Sequence, residues 1–126
     1  MKSGSAAALA GQRGHVTGLA AEAQVLRHYL KQGVKVVAQR WRGQGGEIDI
    51  IARDEQGFVF VEVKASRDIT TAAGRLTRRQ MQRLMVAAEE FLTTVSGGLG
   101  NHLRFDVALV DRQGRLEIIE NALIDC

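Results

Sequence analysis

The sequence predicts a mixed α/β domain, and three observations carry that expectation. Two long segments repeat apolar residues at helical spacing. Five short segments, rich in Val, Ile and Phe, read as strands. Clusters of Gly, Asp and Gln separate them, so the element order is α-β-β-β-α-β-β. Three strands joined by short turns make an antiparallel meander, and the helix after them is a crossover to more strand. The result expected is a mixed sheet with helices packed on it.

Taken in order, residues 1–14 are rich in Ala, Ser and Gly, carry Lys2 and Arg13, and have no acid. That composition reads as a mobile tail without the apolar stretch of a secretory signal, leaving 15–126 as one domain. Thr17 to Gln32 places Leu19, Val25, Leu26, Tyr29 and Leu30 on one helical face, with Thr17 as a cap and Gly33 as a stop. Val34 to Trp41 is a first strand, and Gly43-Gln44-Gly45-Gly46 a turn. Glu47 to Arg53 and Phe58 to Ala65 form a hairpin closed by Asp54-Glu55-Gln56-Gly57. Arg67 to Arg75 reads as a loop. Leu76 to Val95 is a helix whose apolar side holds Met81, Leu84, Met85, Ala88, Phe91, Leu92 and Val95, and Ser96 to Gly100 ends it. Leu103 to Val110 and Arg115 to Ile119 complete the strands around the turn Asp111 to Gly114.

The 126 residues are enough for one core and too few for two; 45% are apolar and 25% charged, as in soluble globular proteins. No apolar run approaches the ~18 residues that span a bilayer, so no membrane partner is expected. The single cysteine, Cys126, excludes an intrachain disulfide and fits a reducing cytoplasm. The net charge is +3, unevenly spread: Arg67, Arg75, Arg78, Arg79 and Arg83 fall in a stretch with one acid, Asp68. Such a cluster either holds a polyanionic backbone or is a solvated helix face.

The chemistry concentrates in the hairpin. Strand alternation puts Glu47, Asp49 and Ile51 on one face, and Phe58, Phe60, Glu62 and Lys64 on one face of the next strand. Either plausible loop length gives the register Arg53–Phe58, Ile51–Phe60, Asp49–Glu62 and Glu47–Lys64. Two carboxylates directly opposed on neighbouring strands repel each other. A divalent cation between them removes the conflict, and hard oxygen ligands suit Mg²⁺, with Mn²⁺ as a substitute. Lys64, two residues from Glu62, would orient a nucleophilic water or offset phosphoryl charge. The alternative is a charged solvent face with an ordinary Glu47–Lys64 cross-strand pair.

Glu22 falls on the apolar side of the first helix, where it either bonds locally or serves as a further ligand. Gln80 borders the apolar face of the second helix and either contacts phosphate or is simply polar. His15, His28 and His102 lack ligand spacing, so zinc is not expected. The glycine turn lacks the lysine and following helix of a phosphate loop. Trp41 suits a core or base-stacking role, and Asp106 a local hydrogen bond or arginine pair.

The pattern Asp49 … Glu62-Val63-Lys64 resembles the signature of the PD-(D/E)XK nuclease superfamily. More narrowly, Gly18-Leu19-Ala20-Ala21-Glu22, Gly46-Glu47-Ile48-Asp49-Ile50-Ile51-Ala52, Phe60-Val61-Glu62-Val63-Lys64 and Arg104-Phe105-Asp106-Val107 resemble the YraN family. The resemblance implies a restriction-endonuclease-like core, similar to archaeal Holliday-junction resolvases, that cuts DNA in a metal-dependent reaction. Residue by residue, Asp49, Glu62 and Glu22 would hold the metal, Lys64 would be the catalytic lysine, and Gln80 would match a glutamine some branches carry. A homodimer would address two strands, as related resolvases do. The family usually has Asn at the position of Gln39 and Lys at that of Arg79.

Overall fold

The computed structural model describes residues 6–122, with only the helical course given for 6–17. Cys126 and residues 1–5 lie outside the described residues. The order is α1 (Ala6–Lys31), β1 (Lys35–Arg42), β2 (Glu47–Arg53), β3 (Phe58–Ala65), α2 (Ile69–Gly74), α3 (Arg78–Leu92), a 3-10 turn at Gly98–Gly100, β4 (Leu103–Val110) and β5 (Leu116–Ile119). The five strands form one sheet in the order β1-β2-β3-β4-β5. Only β3–β4 is parallel, and α2 and α3 fill that crossover.

The hairpin and β4 fall where the sequence puts them. The helices depart from expectation in three places. The first helix begins at Ala6 instead of Thr17, because the run Ala6-Ala7-Ala8-Leu9-Ala10 is made of strong helix formers. Thr17 therefore lies within the helix instead of capping it. Within the expected loop, Asp68 caps the short helix α2 by accepting the Thr71 N–H at 2.7 Å, and Ala72 is buried. The third helix starts at Arg78, capped by Thr77.

One sheet face packs on α1: Ala21, Val25 and Tyr29 meet Ile50, Ala52, Val59, Val61, Ala108 and Val110. The other face packs on α3 and α2. There Leu84, Ala87, Ala88, Phe91 and Leu92 meet Ile48, Ile51, Phe58, Phe60 and Phe105, while Ala72 meets Val107 and Leu109. Phe91 sits edge-on to Trp41, Phe58 and Phe60 at centroid distances of 5.5–5.9 Å, which settles Trp41 in the core.

Besides a bulge in β1 between Val36 and Ala38, regular alternation fails in β2 between Ile48 and Ile50. Ile48 packs on the α3 side and Ile50 on the α1 side, although strict alternation would put them on the same face. The paired strand is irregular at the same level. Gln39 pairs with Ile50 and Trp41 with Ile48, so Arg40 stands across from Asp49, and Arg40 has a left-handed backbone with φ 49°. Non-glycine residues rarely hold that conformation without support from their surroundings.

Candidate active site

The kink decides where Asp49 goes. The register Arg53–Phe58 and Ile51–Phe60 is the one the sequence predicts, but the β2–β3 ladder ends at Ile50–Val61. Beyond that point the strands part, and Asp49 turns away from the face of Ile51 toward α1. It lines a cavity of about 1200 Å³ together with Ala21 and Glu22 of α1 and Val63 and Lys64 of β3. The expectation that Glu47, Asp49 and Ile51 share a face is thus corrected by the break in alternation. The expected Glu47–Lys64 pairing is corrected too. Glu47 bonds Arg42 on the other neighbour at 3.2 Å, because β2 has already left β3 at that level.

Asp49 and Glu62 do come together. The Asp49 carboxylate accepts the Val63 N–H at 2.8 Å, in the gap where a backbone pair would otherwise stand, close enough to Glu62 for that residue's charge to act on it. Lys64 Nζ lies 3.1 Å from Glu62 Oε2, with both side chains mostly buried. Burial first, and the neighbouring Glu62 charge second, push the Asp49 carboxyl up to about 7; the Val63 N–H and Lys64 pull the other way. Glu62 is not among the residues lining the cavity and joins it through Asp49 and Lys64.

Two neighbouring carboxylates, Asp49 and Glu62, make a donor set of hard oxygens. That fits Mg²⁺ or Mn²⁺, which bind through one or two carboxylates and keep several waters. Among the described residues no group of three acids, histidines or cysteines is gathered to hold one ion. Glu22 lines the same cavity as Asp49, but its carboxylate is engaged by Arg40 Nε at 3.2 Å.

The remaining residues divide. Gln80 is drawn into a capping box: its N–H bonds Thr77 Oγ1 at 3.1 Å and its side chain accepts the Thr77 N–H at 3.4 Å. It does not line the cavity. Arg67 and Arg75 do line it, whereas Arg78, Arg79 and Arg83 are exposed on α3 away from its walls. Sequence reasoning missed Ser66 and Arg112, both on the cavity wall; Arg40, which it placed with Arg42 and Arg53 in a basic cluster beside the acids, pairs with Glu22 instead. A signal for Arg112 existed: a parallel crossover sets the C-terminal ends of β3 and β4 side by side, where open α/β sheets bind ligands.

Asp106 belongs to a different construction. Its buried carboxylate accepts Tyr29 Oη–H at 2.7 Å, Arg104 Nε–H at 2.9 Å and the Asn121 N–H at 3.1 Å, tying α1 to β4. Burial and this bond raise the Tyr29 phenol far above its usual range, so it stays a neutral donor.

Comparison with known proteins agrees over most of the chain. The sequence model of the uncharacterised protein family UPF0102 matches residues 21–110. A UPF0102 protein of Ruegeria pomeroyi is 56% identical over 112 residues, covering 89% of this chain and 91% of the relative. One of Cereibacter sphaeroides is 51% identical over 114 residues, covering 90% and 97%. One of Roseobacter denitrificans is 47% identical over 114 residues, covering 90% and 88%.

Proposed function

The chain belongs to the UPF0102 family, and we propose that it is a metal-dependent nuclease that hydrolyses phosphodiester bonds in DNA, single-stranded or branched, in repair, recombination or processing. The observation that carries this reading is Asp49 held by the Val63 N–H beside Glu62, with Lys64 Nζ 3.1 Å from Glu62 Oε2. The likeness of this trio to the PD-(D/E)XK signature supports it.

Asp49 and Glu62 would hold Mg²⁺ or Mn²⁺, with Glu22 on the same cavity wall; the bound ion would supply Lewis acidity at the phosphoryl oxygen and an acidified water. The chain's own groups account for the rest. Lys64, held by Glu62, is aimed by that ion pair and would donate to a non-bridging phosphate oxygen or position the attacking water. The Asp49 carboxylate is fixed by the Val63 N–H and would not have to reorganise when charge builds up. Arg67 and Arg75 would grip the strand at the cavity, and Arg78, Arg79 and Arg83 would meet more distant phosphates. No helix among the described residues is long and apolar enough to cross a membrane; the substrate proposed is DNA in the cytoplasm.

The test is incubation with labelled duplex, single-stranded and four-way DNA in Mg²⁺ or Mn²⁺. Cutting by the wild type and its loss in Glu62→Ala are expected. No cutting of any substrate, or equal cutting by the variant, sinks the proposal. One specific observation favours a second reading, a nucleic-acid-binding module without turnover: Glu22 is engaged by Arg40 and Gln80 by its cap, so neither is free to join the carboxylate pair. That reading predicts binding that weakens steeply with salt and is indifferent to metal.

A further inference from the structure

The cavity has a second end that the carboxylate pair does not use. Past the last residues of β3 and β4 the two chains stay joined: Ser66 N–H bonds Val110 O at 3.0 Å, and Arg112 N–H reaches Arg67 O at 3.5 Å. Arg75, arriving from the end of α2, donates Nη1–H to Ala65 O at 3.3 Å. The chain at Arg112 and the side chain of Arg75 are thereby tied to the stretch 65–67 that ends in Arg67, and all three arginines line the cavity that holds Asp49. Their charges are largely uncommitted. Arg67 bonds exposed Asp68, and among the described residues neither Arg75 nor Arg112 has an ion pair with a carboxylate. Asp111, the acid on that wall next to Arg112 in sequence, spends its oxygens on the Gln113 and Arg115 N–H groups and on the Arg115 guanidinium.

The floor beneath them is also fixed. Gln24 of α1 donates Nε2–H to Gly114 O at 2.5 Å, so the turn that carries Arg112 is tied to the helix that carries Glu22. A turn anchored on both sides loses little freedom when a ligand arrives, which favours binding. Arginines lining one cavity suit phosphate oxygens, which planar guanidinium groups grip in pairs.

We propose that Arg67, Arg75 and Arg112 form a phosphate subsite that holds a nucleic-acid phosphate next to the one presented to Asp49, Glu62 and Lys64. This rests on the nucleic-acid reading of the cavity but not on catalysis. Arg112, supplied by the β4–β5 turn, is its distinguishing member. The phosphate is either an internal diester or a terminal monoester, since both offer the oxygens the subsite reads.

The experiment is fluorescence anisotropy with a labelled single-stranded oligonucleotide, in chelator so that nothing is cut, with 5′-phosphorylated, 3′-phosphorylated and unphosphorylated forms. Arg112→Ala is expected to weaken binding about tenfold, the scale of one charge-assisted contact. It should also lower the slope of log affinity against log salt by about 0.7. Arg112→Lys should recover part of the affinity. An equal loss on all three oligonucleotides assigns an internal diester, and a loss confined to one phosphorylated end assigns a terminal monoester. Wild type that binds none of them, or Arg112→Ala that binds like wild type with an unchanged salt slope, overturns the subsite. Circular dichroism confirms that the variant is folded. A protein that shows the Arg112 effect yet cuts nothing in Mg²⁺ keeps the subsite and loses the nuclease reading. One that cuts but ignores Arg112→Ala does the reverse.

Discussion

Arg40 stands across the β1–β2 ladder from Asp49, and its left-handed backbone marks the level at which both strands stop alternating. Its guanidinium then reaches Glu22 of α1 at 3.2 Å. The kink, and not the pleat, delivers Asp49 to the cavity. Glycine tolerates the left-handed region and β-branched residues do not. Arg40→Gly should therefore stay within about 1 kcal/mol of wild type, having lost only a part-exposed ion pair. Arg40→Val should lose about 1–3 kcal/mol. Urea unfolding checks this, and equal losses would contradict the assignment of strain to Arg40.

The raised Asp49 carboxyl makes a pH prediction whose sign is fixed. Its folded pKa of about 7 lies above the ordinary 3.8, so the folded state holds the proton more tightly than the unfolded chain does. That contribution is complete below about pH 4 and is lost as pH rises through about 7. In metal-free buffer the wild type should thus lose about 1–3 kcal/mol relative to Asp49→Asn between pH 4 and pH 8. Parallel stability curves for the two proteins from pH 4 to 8 would rule the shift out.

Much of this architecture is legible in the residues. Val, Ile and Phe between turn clusters mark β2, β3 and β4 to their ends, and the hairpin register holds from Arg53–Phe58 to Ile50–Val61, one step short of the Asp49–Glu62 pair it would give next. What is not legible is the kink, because alternation is assumed until a backbone breaks it, and Arg40 carries no glycine-like warning. Gln80 was open to a plainer reading, since Thr77-x-x-Gln80 is a capping box in the sequence itself. The six residues of α2 are too few for periodicity to register, although Asp68 before Thr71 is a cap signal.

The buried Asp106 anchor should matter to stability. Asp106→Ala strands the Tyr29 hydroxyl and part of the Arg104 guanidinium, for a loss of about 3–5 kcal/mol. Tyr29→Phe removes one donor and leaves Arg104 in place, for about 1–2 kcal/mol. Chemical denaturation gives both values, and the reverse order would contradict the anchor.

The glycine turn before β2 is docked on α3 by Glu90, whose carboxylate accepts the Gln44 N–H at 2.8 Å and the Gly45 N–H at 2.6 Å. A methyl group at Gly45 would stand 2.5 Å from Val86 Cγ1. Gly45→Ala should therefore cost about 1–3 kcal/mol, and adding Val86→Ala should restore a substantial part of it. Additive losses in thermal unfolding would show that this contact is not the cause.

The central claim is that the Asp49–Glu62 pair holds a divalent cation for phosphodiester cleavage, and calorimetric titration with Mn²⁺ at pH 8 tests it most directly. The pair predicts saturable binding by the wild type, abolished in Asp49→Asn and Glu62→Gln and weakened as pH falls through about 7, where Asp49 takes up its proton. A wild type that binds no Mn²⁺, or variants that bind it as well as the wild type, would contradict the claim.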